Sequence, residues 1–219
     1  MSELESKVSF VIPIFNGIPV AASVVVTWWI MLAFVIASKI LVRNLKPVPG
    51  RTQAFLEEFV DFLYGFIKGI LGEEGKRYFP YLAAVALYLG CANLVGVLGI
   101  TPPTKDLNLT AGLSIMSIVL IEYSGFRAKG LKGWIKSFAE PTPVLAPINI
   151  LELFIRPLSL CMRLFGNVIG SFVVMELIKL MVPVIIPVPF SLYFDVFDGL
   201  IQTYIFVFLT SLFMRERMG

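Results

Sequence analysis

The chain has 219 residues, of which 58% are hydrophobic and 15% charged, with a formal net charge of +3. A soluble domain carries about a quarter charged residues, so this composition excludes an ordinary water-soluble domain and indicates an all-α integral membrane protein folded as one bundle. The small net charge, with its basic residues clustered, argues against nucleic acid as a partner, and the absence of histidine excludes imidazole relays and histidine metal sites.

Met1–Lys7 is mildly acidic and lacks the basic start of a secretory signal, so the chain reads as uncleaved. Five spans are expected, at about 21–41, 79–100, 109–126, 146–182 and 189–213. The first contains Trp28 and Trp29 and ends near Lys39, which can snorkel. Loop charge alternates. Arg43, Lys46 and Arg51 follow the first span, Arg127, Lys129, Lys132 and Lys136 follow the third, and Arg215 and Arg217 follow the fifth. The other connections are nearly neutral. The positive-inside rule then puts the N-terminus outside and the C-terminus in the cytoplasm.

Between the first two spans, residues 51–72 carry Phe55, Phe59, Phe62, Phe66 and Ile70 at helical spacing, against Glu57, Glu58, Asp61 and Lys68. This is the pattern of an amphipathic helix lying on the cytoplasmic interface. Glu73, Glu74, Lys76 and Arg77 follow as a polar turn. Cys91 and Cys161 fall in apolar segments, without disulfide or metal spacing.

The fourth apolar stretch is too long to cross upright. As one helix it would measure roughly 55 Å, against a hydrocarbon core of about 30 Å. It must therefore tilt strongly or break, and with the fifth span it forms a long inclined hairpin. Arg163 lies near its middle. An arginine at bilayer depth costs at least ~2.5–3.5 kcal/mol, which makes it a functional-site candidate.

On a helical wheel Glu152, Arg156, Ser159, Gly166, Asn167 and Gly170 all fall within about 60° of Arg163. Glu152 and Arg156 are spaced to pair. Gly166 and Gly170 admit close approach of another helix, and Pro157 can loosen the helix before Arg163. No acid on this helix is placed to neutralise Arg163, because Glu152 is too far away and Glu176 points to the opposite side. In the fifth span, Asp195, Asp198 and Gln202 share one face of a helix otherwise rich in Phe, Leu and Ile. The two stripes either satisfy each other across a buried interface or line an ion path.

Other polar residues carry weaker signals. Glu122 reads as interfacial, Glu176 as either a rim charge or a pathway residue, and Asn93 more as packing than as an ion ligand. There is no P-loop, metal-ligand cluster or Ser/His/Asp set, so no cofactor, metal or bound ATP is expected. A resemblance carried by the motif at residues 160–167 implies an ion-translocating subunit without catalysis of its own. A free-standing secondary transporter or channel is the competing class, opposed by the short chain and the absence of repeat symmetry.

At Leu160-Cys-Met-Arg-Leu-Phe-Gly-Asn167, preceded by Arg156-Pro-Leu-Ser-Leu160, the sequence resembles subunit a of F-type ATP synthases. Asn93-Leu-Val-Gly96, Thr101-Pro-Pro-Thr104, Leu107-Asn-Leu-Thr110 and Gln202 before Tyr204-Ile-Phe extend the resemblance from about residue 52 onward.

The resemblance implies a stator in a bacterial plasma membrane, beside a rotating ring of c subunits and held by a b-type peripheral stalk. Two offset half-channels would carry H+ or Na+ to and from the ring carboxylates, with Arg163 separating them. Asn93, Ser159, Asn167, Glu176, Asp195, Asp198 and Gln202 are the expected pathway residues, and Glu152 with Arg156 the structural ion pair. The family commonly has a titratable Glu or His nine residues after its arginine and another seven before its glutamine. Here those positions are Phe172 and Asp195.

Overall fold

The computed structural model describes residues 8–12, 18–43, 46–47, 49–138, 144, 146–181 and 187–219. Among these, five helices are long and apolar enough to cross a membrane: Ala22–Leu41, Lys76–Leu98, Leu107–Ser137, Ala146–Leu180 and Pro189–Met218. They match the expected spans in number and order, and the chain is an all-α integral membrane protein. The readings placed on residues 1–7 and on the turn at 182–186 lie outside the described residues.

A two-stranded antiparallel ribbon, β1 (Val8–Ile12) and β2 (Ile18–Ala21), precedes the first span. Sequence reading does not anticipate it, because alternation over so few residues is a weak signal. Helix α1 (Ala22–Leu41) buries only Ile30 among its residues. Two polar contacts near its start tie it to the bundle. Ser23 donates to Asp106 Oδ2 at 2.6 Å, and the Thr27 and Tyr88 hydroxyls lie 2.9 Å apart.

The expected amphipathic helix is α2 (Arg51–Leu71). Its C-terminal half buries Ile67 and Leu71 and packs Phe66 on the core, while Phe55, Phe59 and Phe62 remain exposed beside the acidic face. It ends at Gly72, whose φ of 67° glycine adopts without strain. Lys68 and Lys76 both pair with Glu73, at 2.8 and 2.9 Å. Hydrogen bonds from those two ammonium groups, Lys68 first, hold the Glu73 carboxyl down at about 2.

Helix α3 (Gly75–Leu94) runs into a 3-10 turn, Val95–Leu98. Helix α4 (Leu107–Ser137) begins at Asp106, whose Oδ1 accepts from the Asn108 backbone N–H at 3.0 Å and caps the first turn. It continues well past the expected end of the third span, so Arg127, Lys129, Lys132 and Lys136 are helical rather than loop residues. A break at Gly130, with φ 70°, separates the spanning part from the basic end.

Helix α5 (Ala146–Met181) is one unbroken rod of 36 residues that accommodates Pro157. Of the two outcomes expected for the long stretch, the helix does not break, and a rod of about 54 Å spans the bilayer only if inclined. The fifth span has three parts: α6 (Pro187–Ser191), a π-helical segment (Leu192–Asp198) and α7 (Gly199–Met218).

Helix α7 is the spine of the bundle, packed against α2, α3, α4 and α5. Its buried residues, Gly199, Gln202, Thr203, Phe206, Val207, Thr210, Ser211 and Met214, recur every three or four positions. The facing seam of α4 is Thr110, Ser114, Ser117, Ile121, Ser124 and Gly125. Small side chains on both seams let the backbones approach closely.

Leu82 is fully buried where α2, α3, α4 and α7 meet, among Ile67, Leu71, Ile121 and Val207. Leu82→Ala opens a cavity there, and thermal unfolding of the detergent-purified protein is expected to show a loss of about 2–5 kcal/mol.

Candidate functional site

The polar stripe of α5 is exposed along its middle. Ser159, Arg163, Gly166, Asn167 and Gly170 are all accessible, and a β-carbon added at Gly166 or Gly170 would meet nothing within 4 Å. The close approach these glycines permit is therefore left unused by the described residues. Arg163 has no ion-pair partner among the described residues. A guanidinium halfway along a spanning helix is thus presented on the same open face as two glycines.

One turn on from Arg163, the two expected stripes meet. The Asn167 side-chain amide donates to Gln202 Oε1 at 2.7 Å, joining α5 to α7. Gln202 is 2% exposed, and its Nε2 is buried without an acceptor. An unpartnered buried amide N–H is costly and is a ready donor to an arriving oxygen.

Beyond Asn167 lies a cavity of about 600 Å³. It forms where α3 ends, α4 begins, α5 ends and the π segment enters the bundle. Asn93, Gly96, Lys105, Asn167, Ser171, Phe172, Lys179, Asp195, Asp198 and Gln202 are among its walls. Asp195 Oδ2 accepts from Ser191 at 2.6 Å, and the Lys105 ammonium sits 3.3 Å from the centroid of the Phe172 ring.

Asn93, 4% exposed, is the joint that holds these walls together. Its amide donates to Gly199 O at 3.0 Å and to Thr203 Oγ1 at 3.3 Å, and its carbonyl accepts from Thr104 at 3.0 Å. Gly199 is required opposite it, since a β-carbon there would fall 2.9 Å from Asn93 Cβ.

The expected Glu152–Arg156 pair is formed at 2.6 Å, and a second carboxylate, Glu216, lies 2.7 Å from Arg156. The Arg156 guanidinium also stacks over Phe213 at 4.8 Å. Close by in sequence, Arg217 pairs with Glu122 at 3.0 Å, and Trp134 donates to the same carboxylate at 2.9 Å. These contacts fasten the end of α7 to α4 and α5, away from the cavity.

Of the sequence candidates, the structure gathers Asn93, Asn167, Asp195, Asp198 and Gln202 around one cavity. It leaves Ser159 and Arg163 on the open face of α5 and pairs Glu176 with Lys179 at 3.0 Å. Lys105, Ser171, Ser191 and Gly96 were not singled out by sequence reading as cavity residues. Lys105 sits in a nearly neutral connection, and hydroxyls and glycines carry no charge signal. The only available cue for Ser191 was its i,i+4 spacing to Asp195.

A family profile described as ATP synthase A chain matches residues 22–215. The chain belongs to that family. Three curated relatives cover nearly all of it. ATP synthase subunit a of Moorella thermoacetica is 37% identical, over 91% of this chain and 91% of its own. The sodium ion specific ATP synthase subunit a of Propionigenium modestum is 35% identical, over 93% and 76%. ATP synthase subunit a 2 of a Bradyrhizobium strain is 34% identical, over 94% and 93%. The chain is thus a multi-pass membrane subunit of an F-type ATP synthase, serving ATP synthesis and ion transport in complex with the rest of the enzyme.

Removing the Asn93 side-chain amide would strand the Thr104 hydroxyl in a buried site and take from the Gly199 carbonyl one of its two side-chain donors, leaving Thr203. Asn93→Ala is therefore expected to cost about 2–3 kcal/mol, read as a lower melting temperature of the subunit in the purified ATP synthase. Asn167→Ala, which loses one half-exposed hydrogen bond, should cost less than about 1.5 kcal/mol in the same measurement.

Proposed function

We propose that this subunit is the stator of the membrane motor, carrying H+ or Na+ through two offset half-channels to and from the carboxylates of a rotating c-ring, with Arg163 between them. The observation that carries the reading is the open stripe of α5. A guanidinium without an ion-pair partner among the described residues, flanked by exposed Gly166 and Gly170, lies at the mid-length of a spanning helix. Hydrocarbon penalises such a face, so it implies a partner with a negative charge at bilayer depth.

The cavity beyond Asn167 is the outer half-channel in this reading. Positive-inside topology puts the α3–α4 connection, with Lys105, on the outer side and the C-terminus in the cytoplasm. Asp195 and Asp198 keep the passage polar, and the Gln202 amide is its inner limit. Ions leave on the cytoplasmic side along the other half of the α5 stripe, past Ser159. The b-type stalk holds the subunit against ring torque.

Arg163 acts as a fixed charge. A cation about 4 Å from a ring carboxylate attracts it by about 4 kcal/mol at an effective dielectric of 20, which favours the ion-free carboxylate. Coupling cations are repelled from the direct route between the half-channels. A guanidinium keeps its proton in such a setting, whereas a lysine ammonium releases it more readily. The driving force is about 2.3 kcal/mol per charge for each 100 mV.

Arg163→Ala is expected to abolish ATP synthesis in inverted vesicles under an imposed ion gradient while the complex still assembles. Arg163→Lys should also fail, through its compact, more strongly hydrated charge. Wild-type synthesis from Arg163→Ala would refute the mechanism. Repeating the assay with sodium varied at fixed pH identifies the coupling ion. Stimulation by sodium would extend to this chain the property named for the Propionigenium relative, and indifference to sodium assigns the proton.

A further inference from the structure

We propose that Gly96 is a positioning residue for the outer half-channel, leaving empty the seat in which the Asp195 carboxylate lies. A β-carbon built on Gly96 would fall 2.6 Å from Asp195 Oδ1 and 3.0 Å from its Cγ. The carboxylate therefore occupies the volume that any other side chain at position 96 would need. Its other oxygen accepts from Ser191 at 2.6 Å, so the group is held between its own helical segment and the 3-10 turn that ends α3.

The glycine is not explained by backbone conformation. Among the described glycines, positive φ is found at Gly72, Gly99 and Gly130, and Gly96 is not one of them. Alanine could adopt this backbone. Helix packing does not explain it either. Apart from the carboxylate, the nearest atom to the added carbon is Pro102 Cγ at 3.4 Å, an ordinary contact. The conflict is with one carboxylate at the end of a rotatable side chain. Alanine at position 96 would therefore push the charge out of its seat rather than unfold the turn.

The π-helical geometry of Leu192–Asp198 complements this arrangement. The segment packs against α3 and the 3-10 turn that follows it, and the missing side chain at position 96 leaves room for Asp195. A π turn inside a longer helix often marks a functional position. The inference rests on the reading that Asp195 lies on the ion path, and the test separates the two.

The experiment measures gradient-driven ATP synthesis in inverted vesicles for Asp195→Ala, Gly96→Ala and the double variant, with subunit co-purification as the assembly control. Asp195→Ala is expected to slow synthesis about tenfold or more, since misplacing a working group by about 1 Å costs up to a hundredfold. Gly96→Ala should slow it to within about twofold of that value, and the double variant should be no slower than Asp195→Ala alone, because coupled sites are non-additive.

Wild-type rates from Asp195→Ala overturn the ion-path reading of that residue, and the positioning role with it. Wild-type rates from Gly96→Ala beside a slow Asp195→Ala overturn the positioning role alone. If Gly96→Ala prevents assembly, assembly restored by adding Asp195→Ala supports the proposal, because the clash was with the carboxylate. Failure of both Gly96 variants to assemble overturns it, as does an equal further loss when Gly96→Ala is added to Asp195→Ala.

Discussion

A polar group inside a bilayer has no water to bond with, and the bundle is arranged around that shortage. The seam between α4 and α7 is built largely from serine and threonine, which in water would be a poor core. Here each hydroxyl with a resolved bond turns back onto its own helix. Thr203 reaches Gly199 O, Thr210 reaches Phe206 O, Ser211 reaches Val207 O and Ser124 reaches Ile121 O, all between 2.7 and 2.9 Å. With the donors satisfied locally, the small side chains leave room for close helix contact. Packing and dispersion then do what apolar burial does in a soluble protein. Gln202 Nε2, buried without a partner, lies at the meeting point of the two stripes.

The two ends of α7 are treated differently. At its C-terminal end Glu216 and Arg217 are held by Arg156 and Glu122, on α5 and α4 respectively. Phe213 and Phe138 lie against the two guanidinium groups. Gly125 permits this closeness, since a β-carbon there would come within 3.2 Å of Arg217. At the other end the chain enters through a π segment, which widens the helix and leaves a cavity between α3 and α5. A firmly tied end and a loosened end let one rigid rod both resist lateral force and admit an ion, in the role proposed here.

The spans were legible because twenty or so apolar residues bounded by charge have few other interpretations. Arg163, Asp195 and Gln202 were legible for a related reason. An isolated polar residue in such a run stands out, and the 100° wheel shows which residues share its face. Less was visible where the signal is small or nonlocal. The α4 seam of Thr110, Ser114, Ser117 and Ser124 is uncharged, and its period is hidden among many apolar residues. The continuation of α4 to Ser137 was obscured by basic residues, which suit a cytoplasmic helix as well as a loop. Glu216 as a second partner of Arg156 is a contact across 60 positions, and no local spacing encodes it. The π segment was missed because a constant step of 100° assumes there is none.

The charge distribution explains why the stripe and the cavity have separate tasks in the proposed mechanism. The cavity wall carries Asp195 and Asp198 together with Lys105 and Lys179, the last already paired with Glu176. A wall of mixed charge gives water and a passing cation polar contacts without a deep well, and a deep well would hold the ion too long. Lys105 sits over the Phe172 ring, so part of its charge is met by the ring face and the ammonium is kept to one side. Arg163 has no ion-pair partner among the described residues, and the acid on its own helix face, Glu152, is taken by Arg156. The uncompensated charge of Arg163 is directed outward from α5, where the energy of an approaching carboxylate changes most with distance. A passage of mixed charge suits an ion that must move on, and an unpaired guanidinium suits a carboxylate that must stop, release its ion and turn away.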